Sequence, residues 1–268
     1  MLCRFCGRSS TQLWPIQWGK LTVIKDCRDT KTAARAIHEW LYKGDEGKGR
    51  IAFKVSESRD QTPRQLLNQS KIGRCFEMNL LLVSLLRSVG IPARHAGVPW
   101  WTSMDFYHYW VEYWDTDSRK WLPLEPNANP DDLMEKKQRF AVVYAFPGYH
   151  GERDPVGREC WDGMTNVTSA YTRVGTLDLV CSNAPQGTPV IFSVYTWSCS
   201  SWRLAATAPG NGKATFELAA NDKQYPYLVS ASANGRIGWE MVRITADKME
   251  SVSLNAGVQK EMVEVYRK

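Results

Sequence analysis

The sequence predicts an α+β protein: a core in which a cysteine opens a helix packed on an antiparallel sheet, followed by a small β-sandwich. Three observations carry this expectation. Apolar residues recur at helical spacing over 30–43 and again over 75–89, an alternating two-strand pattern spans 108–125, and from about residue 165 only short strand-like runs follow. The expected division is an N-terminal extension over 1–29, a first domain over 30–164 and the sandwich over 165–268.

The elements follow in order. TKTAARAIHEWLYK (30–43) is helical, with Ala33, Ala34, Ile37, Trp40 and Leu41 on one side, Thr30 or Thr32 as cap and Gly44 as stop. His38 within it is expected to be a packed residue. TPRQLLNQSKIG (62–73) gives a short helical piece with Pro63 in its first turn. The long helix runs from Cys75 to about Val89, apolar at Met78, Leu81, Leu82, Leu85 and Leu86, with Gly90 as C-cap glycine and Pro92 preventing continuation. HYWVEYW (108–114), the turn residues DTDSR and KWLPLE (120–125) read as a β-hairpin. The sandwich strands are TLDLVCS, PVIFSVYTW, GKATFELA, YPYLVSASA and WEMVRIT, separated by APQG, PGNGK, NDKQ and NGRIG.

Composition narrows the function classes. The net charge of +6 is modest and its Lys and Arg are dispersed, so no nucleic-acid partner is expected. No segment approaches the roughly 18 apolar residues of a membrane span. Twelve Trp and eleven Tyr supply residues that line clefts as well as cores. The N-terminal stretch lacks the apolar core of a leader; a secreted or periplasmic location, with a leader outside this chain, is the expectation. Seven cysteines fit either one functional thiol plus three disulfides or seven reduced thiols. CRFC at Cys3–Cys6 has zinc-ligand spacing but no second pair, so neither metal nor cofactor is expected.

Chemistry centres on Cys75. A cysteine in the first turn of a helix faces free backbone N–H groups and the positive end of the helix dipole, which suit a thiolate and an oxyanion. Gly73, two residues earlier, would let backbone and substrate approach closely. The hairpin offers a base. With a turn centred on Thr116 and Asp117, Trp114 faces Arg119, Glu112 faces Trp121, and His108 faces Glu125, Cβ atoms about 5 Å apart. Glu112 is the rival acid on that face, and Glu77 and Arg94 are expected to make ion pairs within the fold.

The stretches GRCFEMNLLLVSLLRSVGIPAR, HYWVEYWD and KWLPLEPN resemble the transglutaminase-like cysteine-enzyme superfamily, with its papain/transglutaminase-like core, over roughly residues 30–130. The resemblance implies Cys75 as nucleophile, His108 as general base and acid, and Glu125 as third member, where the family usually has Asp. Asn127, two residues on, is the alternative orienting residue. Gln69, six residues before Cys75, resembles the Gln that precedes the nucleophile in papain-like enzymes and is the candidate oxyanion donor. The later region resembles Ig-like or carboxypeptidase-regulatory-like sandwiches.

The implied activity is cleavage or transfer of a peptide or glutamine-side-chain amide through a Cys thioester. The alternatives are a peptide:N-glycanase-type amidase and a non-catalytic module binding peptide or glycan. Trp100, Trp101, Tyr107 and Trp110, around His108, are candidate substrate walls. NPDDL after Glu125 is expected to cap a helix instead of holding calcium. Cys181 and Cys199, on neighbouring strands, are either bridged or buried thiols.

Overall fold

The computed structural model describes residues 22–44, 49–54, 60–102, 106–127, 129–135, 139–146, 164–184, 187–220 and 226–257. Cys3, Cys6 and Cys160 lie outside these residues. Two compact units make up the chain: the described residues up to Ala96 with Tyr109–Leu133, and Gly97–His108 with those from Met134 onward.

In the first unit, α1 (Thr30–Tyr42) buries Ala34, Ile37, His38, Leu41 and Tyr42. Its cap is Asp29, not Thr30 or Thr32; the Asp29 carboxylate accepts from Thr32 N at 2.7 Å. Strand β1 (Ala52–Phe53) pairs in parallel with β2 (Ile72–Gly73). Between them α2 (Pro63–Gln65), capped reciprocally by Thr62 and Gln65, widens into a π-turn over Leu66–Ser70 that Lys71 closes at φ 56°. Helix α3 (Cys75–Ser88) begins and ends where its sequence requires. Gly90 (φ 83°) follows it, with Gly90 N bonded to Arg87 O and Ile91 N to Leu86 O. Its apolar side joins that of α1 in one core with Ala93, Val111, Tyr113 and Leu124.

Strands β3 (Ala93–Val98), β4 (His108–Asp115) and β5 (Lys120–Leu124) are consecutive neighbours in one sheet, and a short helix, α4 (Asp132–Glu135), follows. The β4–β5 register differs from the expected one by two residues: Trp114 faces Trp121, Glu112 faces Pro123 and Val111 faces Leu124. The hairpin loop holds four residues, not two. The Asp115 carboxylate draws Ser118 back through its N–H (3.0 Å) and hydroxyl (2.5 Å), and Arg119 turns the chain at φ 53°. Because the shift is even, every side chain keeps its face, but the expected facing of His108 and Glu125 belongs to the lost register and is not among the pairs, which end at Val111 and Leu124.

The second unit contains a short antiparallel pair, β6 (Tyr144–Phe146) with β7 (Thr165–Asn166), and the sandwich. The sandwich strands are β8 (Val174–Cys181), β9 (Val190–Ser198), β10 (Ser201–Gly210), β11 (Lys213–Ala219), β12 (Tyr227–Ala233), β13 (Arg236–Val242) and β14 (Met249–Leu254). One sheet runs β10-β9-β12-β13 and the other β11-β8-β14. Leu177, Leu179, Phe192, Val194, Leu218, Val229 and Ala231 close the core between them. Cys181 and Cys199 are free thiols, so the bridge between them does not form. No helix among the described residues is long and apolar enough to cross a membrane.

Candidate functional site

Cys75 is the first residue of α3, half-buried, with a free thiol. The residue in the N-cap position is Arg74, which has no side-chain acceptor, and no side chain caps the helix there. Glu77 supplies half of a capping box instead. It accepts from Arg74 N at 3.0 Å and binds the Arg74 guanidinium at 2.6 and 3.3 Å. The first turn-to-turn bond is Met78 N to Arg74 O, so the N–H groups of Cys75, Phe76 and Glu77 precede the helical ladder. Asp60 pairs with Arg74 from the outside at 2.7 Å.

Gly73 has a different reason from the expected one. A Cβ there would lie 3.2 Å from both Leu66 Cδ1 and Met78 Cγ, so the glycine lets the turn before Cys75 pack against the helix it feeds.

Two contacts fasten α3 to β4. The rings of Phe76 and Tyr109, the residues following Cys75 and His108, meet edge to face at 5.4 Å. One turn further along, Asn79 donates its amide to Trp110 O at 2.5 Å. The beginning of α3 is thus joined to Tyr109 and Trp110 of β4 within the first unit. Asn79 Oδ1 also accepts from His95 Nδ1 at 2.7 Å, which fixes the His95 tautomer, and burial pushes the His95 pKa down to about 3.

His108 itself counts with the second unit. There its ring stacks on Trp101 at 5.8 Å, Trp101 stacks on Phe140 at 5.4 Å, and Phe140 meets Tyr171 edge to face at 5.5 Å. This column backs the imidazole with rigid aromatic surface. Trp101 is 4% exposed and Trp110 is fully buried, so these two are packing residues and not substrate walls. Trp100 and Tyr107 are half-buried, and Trp100 carries the Arg203 guanidinium over its ring at 4.8 Å.

Glu125 follows the last residue of β5 and is 1% exposed. Its carboxylate charge reaches Tyr42, whose hydroxyl burial and this charge together raise. Tyr42 in turn donates to Met78 O at 3.4 Å, three residues after Cys75. Asn127 is committed elsewhere: its Oδ1 accepts from Asn129 N at 2.7 Å and its Nδ2 points at Asp132 at 3.5 Å. Glu112 is held by Arg94 at 2.5 Å, and that guanidinium lies over Trp121 at 4.1 Å. Gln69 is exposed on the π-turn. Among the described residues no cluster of three metal-binding side chains occurs, and Asp131 of the NPDDL segment pairs with Arg35 at 2.7 Å.

Sequence reasoning missed Asn79 and His95. The signal was present: Asn79 stands four residues after Cys75, inside the apolar stripe, where a polar side chain needs a buried partner.

Residues 21–126 match the family model described as the transglutaminase-like superfamily. No curated protein matches the chain. Among solved structures the chain is similar to the crystal structure of red sea bream transglutaminase, with 11% identity and a TM-score of 0.32 over 80% of this chain and 54% of that one. The chain thus spans about half the length of that protein.

Proposed function

We propose that residues 21–126, which match the transglutaminase-like superfamily model, form a cysteine-dependent amide hydrolase or acyltransferase with Cys75, His108 and Glu125 as its working residues. The superfamily supports a cysteine-enzyme type of function. What supports the finer reading is the contact of Phe76 with Tyr109, the residues that directly follow Cys75 and His108 in the chain. His108 takes the Cys75 proton, and the thiolate adds to an amide carbonyl carbon. Uncapped N–H groups at the head of α3 face the oxyanion. Imidazolium then protonates the amine as the C–N bond breaks, leaving a thioester. Water, deprotonated by His108, resolves the thioester to acid and thiol; an amine in its place gives transfer. Glu125 orients the imidazole, while the Asn127 side chain is engaged by Asn129 N and Asp132.

The test is covalent trapping read by intact mass, with peptide, glutamine-amide and glycopeptide substrates offered in parallel, beside iodoacetamide labelling near neutral pH. Expected are an acyl adduct on Cys75, labelling of Cys75 faster than of Cys27, Cys181 and Cys199, and loss of both adduct and turnover in Cys75→Ala. Adducts from glycopeptides alone would move the activity to glycoprotein de-glycosylation. Slow, equal labelling of all thiols with no adduct would make the domain a binding module.

A further inference from the structure

His38 is fully buried in α1 and has no place in the proposed chemistry. Its Nε2 lies 2.9 Å from the Glu125 carbonyl oxygen. A carbonyl only accepts, so Nε2 carries the hydrogen, and the backbone of Asn127 adds to the same interaction. The other nitrogen, Nδ1, is buried with no hydrogen-bond partner. A buried polar ring with one nitrogen unsatisfied costs free energy that an apolar residue would not. What the ring holds in return is the Glu125–Asn127 segment, just where β5 ends and strand pairing no longer fixes the chain. Tyr42, one helical turn on, meets the His38 ring at a tilt with centroids 4.8 Å apart, lies within reach of the Glu125 carboxylate charge, and donates to Met78 O on the nucleophile's helix.

We infer that His38, supported by Tyr42, is a positioning residue: it fixes Glu125 through its backbone carbonyl, so that α1 sets the place of the acid relative to α3. The inference rests on the proposed role of Glu125. Neutral imidazole is the working form, since a second hydrogen on Nδ1 would sit in the core without an acceptor. Burial holds His38 below the usual histidine range, in keeping with this.

The experiment follows the rate of Cys75 alkylation by iodoacetamide at fixed neutral pH in the full chain, beside thermal melting. His38→Phe removes the donor and keeps a ring; it is expected to lower the alkylation rate about tenfold, as a small displacement of an orienting group does. His38→Gln, whose amide can donate from nearly the same place, is expected to restore most of it. In a Glu125→Gln background, itself slowed, His38→Phe is expected to add little, because both changes act on one group. Should His38→Phe not fold, Tyr42→Phe, with and without Glu125→Gln, carries the same comparison. Equal slowing by His38→Phe in both backgrounds, or no rescue by Gln despite a normal melt, overturns the inference and leaves the acid role of Glu125 intact. Unchanged alkylation in Glu125→Gln alone overturns that acid role, and the inference falls with it.

Discussion

The interiors of the two units are built from different materials. The first buries His38, Glu77, Asn79, His95, Glu112, Asp115 and Glu125 beside its apolar core. Among the described residues of the second unit, those that are polar and buried are hydroxyls: Thr102, Thr168, Ser193, Thr196, Ser198 and Ser230. A hydroxyl can be satisfied by a neighbouring carbonyl or another hydroxyl at little cost, as Thr102 is by Thr196 at 2.8 Å. A buried carboxylate or imidazole is tolerated only with fixed partners. Such groups concentrate around α3, β4 and the end of β5, so the first interior depends on fixed polar partners where the sandwich interior depends on apolar packing.

The sharpest way to break this contrast is to strip a partner from a buried charge. Arg94→Met keeps much of the apolar stem over Trp121 and leaves Glu112 without its guanidinium. The first unit is expected to lose about 3–5 kcal/mol. Thr196→Val removes a hydroxyl pair in the sandwich and is expected to cost about 1 kcal/mol. Hydrogen exchange followed separately on peptides of each unit measures both. Equal losses would mean that the two interiors respond alike, contrary to their composition.

Acid provides the next test. His95 is held down to about 3 by burial, and His38 is lowered by the same cause. For a base depressed on folding, stability is complete above the unfolded value of about 6.5 and is lost as pH falls toward the folded one. Between pH 7 and pH 5, His95 alone is expected to remove about 2 kcal/mol from the first unit. The described sandwich interior contains no histidine, carboxylate or cation and should change little. His95→Asn, able to donate to Asn79 without titrating here, should flatten much of the dependence. A sandwich that softens as fast as α3 would contradict the assignment.

How far the sequence could be read follows the same physical divide. Helix α3 was legible at both ends because Gly90 and a periodic apolar stripe are local signals, and the hairpin was legible as a hairpin. Its register was not, since a side-chain bond from Asp115 to Ser118 widened the loop by two residues. Strands β10 and β14 went unseen because their alternation of buried and exposed residues is weak. A bulge between Leu204 and Ala206 breaks the alternation of β10, and Leu254 is the one fully buried residue of β14. At the candidate site, Cys75, His108 and Glu125 sit in recognisable stretches. The contact of His38 with Glu125 spans 87 residues of sequence, and no local pattern announces it.

The smallest predicted effect asks whether the contrast extends to the backbone. Gly90, after α3, and Gly235, in the turn between β12 and β13, both adopt left-handed backbone, at φ 83° and 74°, with nothing within 4 Å of an added Cβ. Alanine at either site meets no neighbour, so its cost is the intrinsic strain of an L-residue in that region, about 1 kcal/mol in each unit. Melting of Gly90→Ala and Gly235→Ala should therefore give matching losses. If the turns cost the same while Arg94→Met and Thr196→Val do not, the difference between the units lies in what their interiors bury and not in how their chains turn. A much larger loss at Gly90 would instead place part of it in the cap of α3, the helix that carries Cys75.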